Sequence, residues 1–209
     1  MSSLLHIEVS PSGENSVSRS ITADFLSTWS AAHAGGTVIT RDLNLNPIPH
    51  LDAEAIFASY TPEGDRSAAM AAKNAFRLEL AAEITGVDEI LISTPMWNWS
   101  VPSVLKAYFD QVIMPGTLDA SRATGLAGKK VTFVVAQGGS YAEGAPRHGW
   151  DYSTGYLKLV ASALGSTDVE IILAEFTLAG VVPGMDAFVD TKAASINAAK
   201  SRARERAAA

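Results

Sequence analysis

The chain has 209 residues and a net charge of −6, so its overall field does not favour nucleic acid. Its 47% apolar and 18% charged residues suit a globular protein long enough to bury a full core without staples. It has no cysteine, which excludes disulfides, thiolate metal sites and iron–sulfur clusters, so any redox chemistry must come from a bound cofactor.

Residues 4–9 (LLHIEV) form a short apolar run closed by the turn residues SPSGENS, which predicts a strand and then a loop. From residue 18 to about 34, Ile21, Phe25, Leu26 and Trp29 recur at helical spacing. GGTVITRDL restarts as a strand after a glycine stop. The prolines of NLNPIPHLD exclude an interior helix or a central strand there. Residues 52–60 predict a short helix and residues 66–84 a longer one. Residues 89–94 (EILIST) predict a buried strand that runs into the loop TPMWNWS. Residues 102–112 predict a helix with Val104, Tyr108 and Val112 on one face.

KKVTFVVA, residues 129–136, is the clearest strand. It ends in QGGSYAEGAPRHGW, a glycine-rich connection too long for a simple turn. Tyr156, Leu157, Val160, Ala163 and Leu164 stripe another helix, closed by Gly165. DVEIILAEF predicts the fifth strand and residues 185–206 an alanine-rich last helix. Near its end, KSRARER is the one cationic cluster, expected to be a solvated helix end or a fraying terminus. Five apolar strands alternating with helices argue an α/β fold: a doubly wound, five-stranded parallel sheet with helices on both faces. No repeat or linker divides it, so residues 1–209 are expected to form one domain. MSSLLHIEVS has no basic flank, and no apolar stretch is long enough to span a bilayer. The expectation is a soluble, cytoplasmic protein without membrane or nucleic-acid partners.

In a doubly wound sheet, ligands bind outside the carboxyl ends of the strands, where the strand order reverses. The loops after the first, third and fourth strands are therefore the candidates, and they are also the most distinctive segments. The first carries Ser10, Ser12, Ser16 and Ser18 and then opens a helix. Hydroxyls and unpaired N–H groups there suit a phosphate, although an ordinary N-cap at Ser16 or Ser18 explains the same residues. The loop lacks both a Walker ending and the three-glycine dinucleotide fingerprint, so a mononucleotide phosphate fits better than a triphosphate. The second groups Met96, Trp97 and Trp99 around Asn98: a wall for a planar ring, or else a buried aromatic cluster or dimer contact. In the third, Gly138 and Gly139 allow close backbone approach, and their N–H groups suit developing negative charge. Tyr141 adds a hydroxyl, and a plain turn is the alternative.

Other motifs fail. Ser103 and Lys106 spell S-x-x-K without its companion motifs, and GGSYA misses the hydrolase elbow because Ala142 stands where glycine is needed. His6, His33, His50 and His148 lack metal-ligand spacing, so no metal site is expected. His6 reads as a satisfied core or interface residue.

The three loops, in this order, resemble the FMN-dependent NADH azoreductases, a quinone-reductase branch of the flavodoxin-like fold. The likeness covers most of the chain. Its most specific part is PMWNWSVPSVLKAYFDQV, which follows the family pattern P-M-[YW]-N-[FW]-x-[IV]-P-x-x-L-K-x-[YW]. RDLNLNPIPHLD and GLAGKK are similar to the family segments after the second strand and before the fourth. The resemblance implies non-covalent FMN, with Ser10, Ser16, Val17 and Ser18 at its phosphate and ribityl end. It places Met96, Trp97, Asn98 and Trp99 at the isoalloxazine ring, and Ala136, Gln137, Gly138 and Gly139 at the pyrimidine edge. Tyr141, beside them, is the candidate catalytic side chain.

The resemblance further implies NADH or NADPH as donor, ping-pong two-electron reduction of quinones or azo compounds, and a homodimer with the flavin near its interface. A flavodoxin-type electron carrier and a flavin-free interaction module are the alternatives. Two departures imply a more open acceptor side. MPGTLDASRATGL is short and lacks Phe or Tyr, and Ala163 stands where some relatives carry a large aromatic. Ala136 and Gln137 also replace the more usual hydroxyl and arginine residues. Neither Arg122 nor Arg147 is placed by the sequence to meet a 2′-phosphate, so the choice between NADH and NADPH stays open.

Overall fold

The computed structural model describes residues 2–121 and 125–209, so Arg122 and part of the shortened segment 114–126 lie outside the described residues. Strands β1 (Ser3–Glu8), β2 (Thr37–Asp42), β3 (Glu89–Pro95), β4 (Lys130–Ala136) and β5 (Asp168–Ala174) form one sheet. Its order is β2-β1-β3-β4-β5, with every neighbouring pair parallel. This is the flavodoxin-like order, as expected. The chain steps outward from β1 to β2 and then returns past β1 to β3. A crevice therefore opens at the carboxyl ends of β1 and β3.

A parallel sheet needs cover on both faces. Six helices supply it: α1 (Val17–Ala32), α2 (Ala53–Ala58), α3 (Ala68–Thr85), α4 (Ser103–Val112), α5 (Ser153–Ala163) and α6 (Val189–Ala208). Because side chains alternate along a strand, the inner strands β1, β3 and β4 each feed two cores. Leu5, Ile7, Ile92, Phe133 and Val135 pack with Leu80, Leu105, Phe109 and Leu157 on the α3–α4–α5 face. Leu4, Leu91, Val134 and Ile172 pack with Phe25, Trp29, Ala199, Ala203 and Ala207 on the α1–α6 face.

Of the two expectations for the tail, the solvated helix end holds for Arg202 and Arg204, which stay exposed, and the fraying terminus does not. Ala203 and Ala207 are buried, Arg202 pairs with Glu170 and Arg204 with Asp24, and Arg206 reaches Asp168 at 2.6 Å. The basic residues flank a buried alanine stripe that fastens the helix end to the sheet. The fifth strand is also shorter than its apolar run. It stops at Ala174 because Phe176 adopts a φ of 57°, which no strand residue can hold. α6 begins at Val189, after a 3₁₀ turn, so residues 175–185 form a loop at the carboxyl edge of the sheet.

Candidate functional site

Beyond β1 the chain passes through a 3₁₀ turn, Gly13–Asn15, into α1. Ser16 is the N-cap, and its Oγ accepts the Arg19 N–H at 3.2 Å and lies 3.2 Å from Ser18 Oγ. Ser10 Oγ accepts the Ser12 N–H at 3.3 Å. The Val17 and Ser18 N–H groups have no acceptor among the described residues. Ser16 thus caps its helix and faces a cavity at once, and the helix start retains free donors aligned with its dipole.

A buried charged cluster supports this loop. Glu8 is 2% exposed, and its Oε1 accepts the N–H groups of Val9 and Ser10, both at 3.1 Å. Arg19 Nη2 donates to Ser10 O at 3.0 Å and to Asp42 at 2.6 Å. Burial pushes the Glu8 carboxyl above the usual range against the opposing pull of those hydrogen bonds and Arg19. His6 Nε2 lies 3.6 Å from Glu8 Oε2 and has no hydrogen-bond partner. Burial, aided by Arg19, holds the imidazole down to about 4, so it is neutral at pH 7 and the contact is no ion pair. His6 is in the core as expected, but its Nε2 is not satisfied, because Glu8 Oε2 is out of hydrogen-bond reach.

A pH dependence follows. Between about 4 and 6.5 only the unfolded chain protonates His6, so its contribution to stability rises with pH through that window by about 3 kcal/mol. Glu8 acts with the opposite sign, because its raised carboxyl keeps a proton that the unfolded chain loses above 4.5. Urea unfolding of the wild type minus that of His6→Leu isolates the first effect. The difference should grow from pH 4 to 6.5 and then level off. A difference that is flat throughout would sink the assignment.

After β3, Met96 N–H donates to Ala136 O at 2.8 Å, carrying the β3–β4 pairing one residue further. Trp97 and Ser100 exchange backbone hydrogen bonds at 3.0 Å, closing a two-residue turn whose central residues, Asn98 and Trp99, have φ of 48° and 65°. This is the geometry that usually takes Asn-Gly. Asn tolerates it, whereas the Trp costs about 1–2 kcal/mol, strain of the kind that collects at working sites. Trp97 is 46% and Trp99 43% exposed. Trp99 meets Trp150 edge-on at 5.4 Å, and its carbonyl accepts the Tyr152 N–H at 2.9 Å, which ties this turn to the long connection after β4.

At the end of β4, the carbonyls of Gln137, Gly138 and Gly139 accept N–H groups from Thr177, Leu178 and Phe176 at 3.0–3.4 Å. The N–H groups of Gly138 and Gly139 have no acceptor among the described residues. Gln137 is buried, and its amide donates to Asp151 Oδ2 at 2.9 Å. Asp151 Oδ1 in turn accepts the Ser153 and Thr154 N–H groups at the start of α5. Burial opposes ionisation of Asp151, but the bonds from Thr154, Ser153 and Gln137 outweigh it and hold the carboxyl below the usual range.

These loops bound one cavity of about 410 Å³. Ser10, Ser16, Val17 and Ser18 form one side, Met96 and Trp97 a second, and Ala136 and Gly138 a third. The other candidates lie off its wall. Asn98 and Trp99 sit at the turn tip, Gln137 bonds to Asp151, Gly139 borders a neighbouring groove, and Tyr141 packs half-buried against the core. Ser12 and Pro95 also line it, and Asn15, Thr177, Leu178 and Val181 do so without having been singled out by the sequence pattern. The last three come from the β5–α6 loop. The only signal for them is its position at the carboxyl end of a strand.

The family model described as "Flavodoxin-like fold" matches residues 2–207. A Frankia alni protein named FMN-dependent NADH:quinone oxidoreductase is 44% identical over 211 residues, covering 100% of this chain and 100% of that protein. An azoreductase structure from the Sterne strain of Bacillus anthracis is similar with a TM-score of 0.85 at 22% identity, over 100% of this chain and 99% of that one. An FMN-dependent NADH-azoreductase from the Ames Ancestor strain, solved in complex with FMN, gives 0.82 at 19% identity, over 99% and 98%. The structural likeness concerns the fold, whereas the full-length sequence match reaches the family. The chain belongs to the FMN-dependent NADH:quinone oxidoreductases of the flavodoxin-like fold.

Proposed function

We propose that this chain is an FMN-dependent NADH:quinone oxidoreductase, with azo compounds as further acceptors, and that the cavity at the carboxyl ends of β1, β3 and β4 is its flavin site. The observation that carries this reading is the distribution of free donors around one cavity. Val17 and Ser18 offer N–H groups at one end, and Gly138 offers its own at the other. Between them lie Met96 and Trp97, a surface suited to a flat ring. Among the described residues no lysine or arginine lines the wall, so the phosphate would be held by serine hydroxyls, backbone N–H groups and the α1 dipole.

The chemistry FMN supplies when bound is two-electron carriage from NADH to a quinone. The protein binds, orients and polarises. With FMN bound, the free Gly138 N–H would meet the pyrimidine edge and stabilise negative charge there, and Trp97 would keep water from one side of the ring. Donor and acceptor share one open face and take turns there, which gives ping-pong kinetics. The exposed Trp97, Trp99 and Trp150 suit a second copy of the chain, completing the pocket in a homodimer. Among the described residues no helix is long and apolar enough to cross a membrane. This reading places the enzyme in the cytoplasm with its NADH, as one domain.

Absorbance of the purified protein with and without added FMN, followed by anaerobic NADH, tests the reading. A yellow protein that NADH bleaches and a quinone restores supports it. A yellow protein that neither NADH nor NADPH bleaches is an electron carrier, and one that takes up no flavin is neither.

A further inference from the structure

Gly139 opens onto a second groove, of about 540 Å³. Gly138 lines the first cavity and Gly139 this one, so the two meet at adjacent residues of one loop. Within the groove Phe176 and Phe188 stack with centroids 5.0 Å apart and planes 18° from parallel. Phe188 is 41% exposed, which leaves aromatic surface facing outward. Phe176 holds its place at a φ of 57°, a costly conformation for a bulky residue. Glu143 and Arg147 also line the groove. Arg19, Arg41, Arg66, Arg77, Arg202, Arg204 and Arg206 all have acceptors. Arg147 alone among the described arginines has none.

Resting on the flavin reading of the first cavity, we propose that this groove seats the adenosine half of the dinucleotide donor and selects NADH over NADPH. A donor whose nicotinamide lies over the first cavity must carry its other half out across a wall, and the Gly138–Gly139 wall leads here. Adenine is a flat apolar ring that suits the exposed phenyl surface. Arg147 offers a planar fork of donors to the diphosphate. Glu143 can accept both hydroxyls of the adenine ribose, and it would repel a 2′-phosphate in their place. An aromatic stack, an unpaired guanidinium and a carboxylate in one groove are the parts such a ligand needs.

The test uses FMN-loaded enzyme and two fragments of the donor. ADP-ribose has the adenosine and diphosphate but no nicotinamide, and reduced nicotinamide mononucleotide lacks the adenosine. ADP-ribose should bind the wild type by calorimetry, and Phe188→Ala and Arg147→Ala should each weaken it about tenfold, the scale of one lost base stack. The ratio of kcat/KM for NADH to that for reduced nicotinamide mononucleotide should fall by a similar factor, through KM for NADH. Glu143→Gln should narrow the preference for NADH over NADPH. ADP-ribose that does not bind, or a ratio unchanged in both alanine variants, overturns the proposal while leaving the flavin reading intact. A protein that retains no FMN, or oxidises neither nucleotide, overturns both.

Discussion

Gly138→Val should lower FMN affinity at least about tenfold while leaving the sheet folded. A Cβ at position 138 would stand 2.7 Å from Leu178 Cδ1 and 3.0 Å from its Cγ. The Leu178 backbone is restrained, because its N–H is held on the Gly138 carbonyl at 3.3 Å and the preceding Thr177 N–H on that of Gln137, so it is the side chain that must give way. Its side chain lines the same cavity, so relief of the clash pushes apolar volume into the ring site. An intrusion of one or two methyl groups into a fitted site costs about 1–3 kcal/mol, roughly tenfold to a hundredfold in affinity.

Gly139→Ala is the internal control. A Cβ there meets nothing within 4 Å, and the backbone N–H is retained, so flavin content should be near normal. Adding Leu178→Ala to Gly138→Val should recover much of the binding by making room on the other side of the contact. Flavin fluorescence quenching reads all four proteins. Wild-type affinity in Gly138→Val would show that the flavin lies elsewhere.

The sheet was legible because strands buried on both faces are near-continuous apolar runs, and EILIST and KKVTFVVA are such runs. Three of the loops were legible because the chain brings unusual residues to the carboxyl ends of strands, where a doubly wound sheet binds ligands. Contacts between distant residues were not legible. Thr177, Leu178 and Val181 reach the cavity only because the carbonyls of residues 137–139 hold their loop and Phe176 turns out of the strand. Tyr141 reads as a hydroxyl beside two glycines, but it is packed against the core. Gln137 reads as a flavin-edge residue, yet its amide is bonded to the Asp151 carboxylate that caps α5. The tail reads as free to fray until the fold places Glu170, Asp24 and Asp168 beside its arginines. Each of these depends on a partner that no local pattern announces.

Arg77→Met should cost the fold about 3–5 kcal/mol, more than any surface change, because it removes a buried cation and leaves its acceptors unpaired. Arg77 lies in mid-α3, 2% exposed, with the Asp110 carboxylate near enough to act on its charge but with no carboxylate hydrogen-bonded to it among the described residues. Nε donates to Gln111 O at 2.9 Å, and Nη2 to Asp110 O at 3.3 Å and Ile113 O at 3.1 Å. Nη1 donates to Ala55 O at 3.0 Å and Ser59 Oγ at 2.7 Å. Five N–H groups meet five acceptors, and three of these are carbonyls at the C-terminal end of α4, where the helix dipole is negative. The charge is thus met by hydrogen-bond acceptors and the helix end, with Asp110 acting on it only at longer range.

Methionine fills similar space but donates nothing, and lysine cannot rescue because its three donors radiate from one atom. Urea unfolding should show the loss in both variants, with a Tm lower by roughly 6–20 °C. The first element to loosen should be α2. Six residues are too few to hold a helix alone, so α2 relies on its Asp52 cap and on Arg77 gripping Ala55 and Ser59. Hydrogen exchange in Arg77→Met should accelerate at residues 53–58 before the β-strands respond. Exchange that stays slow there, with a stability loss under about 1 kcal/mol, would mean that packing rather than this guanidinium joins α2, α3 and α4. Because α4 starts directly after the Trp97–Trp99 turn, the same variant should also bind FMN more weakly, through a looser turn and not through any contact of Arg77 with the cavity.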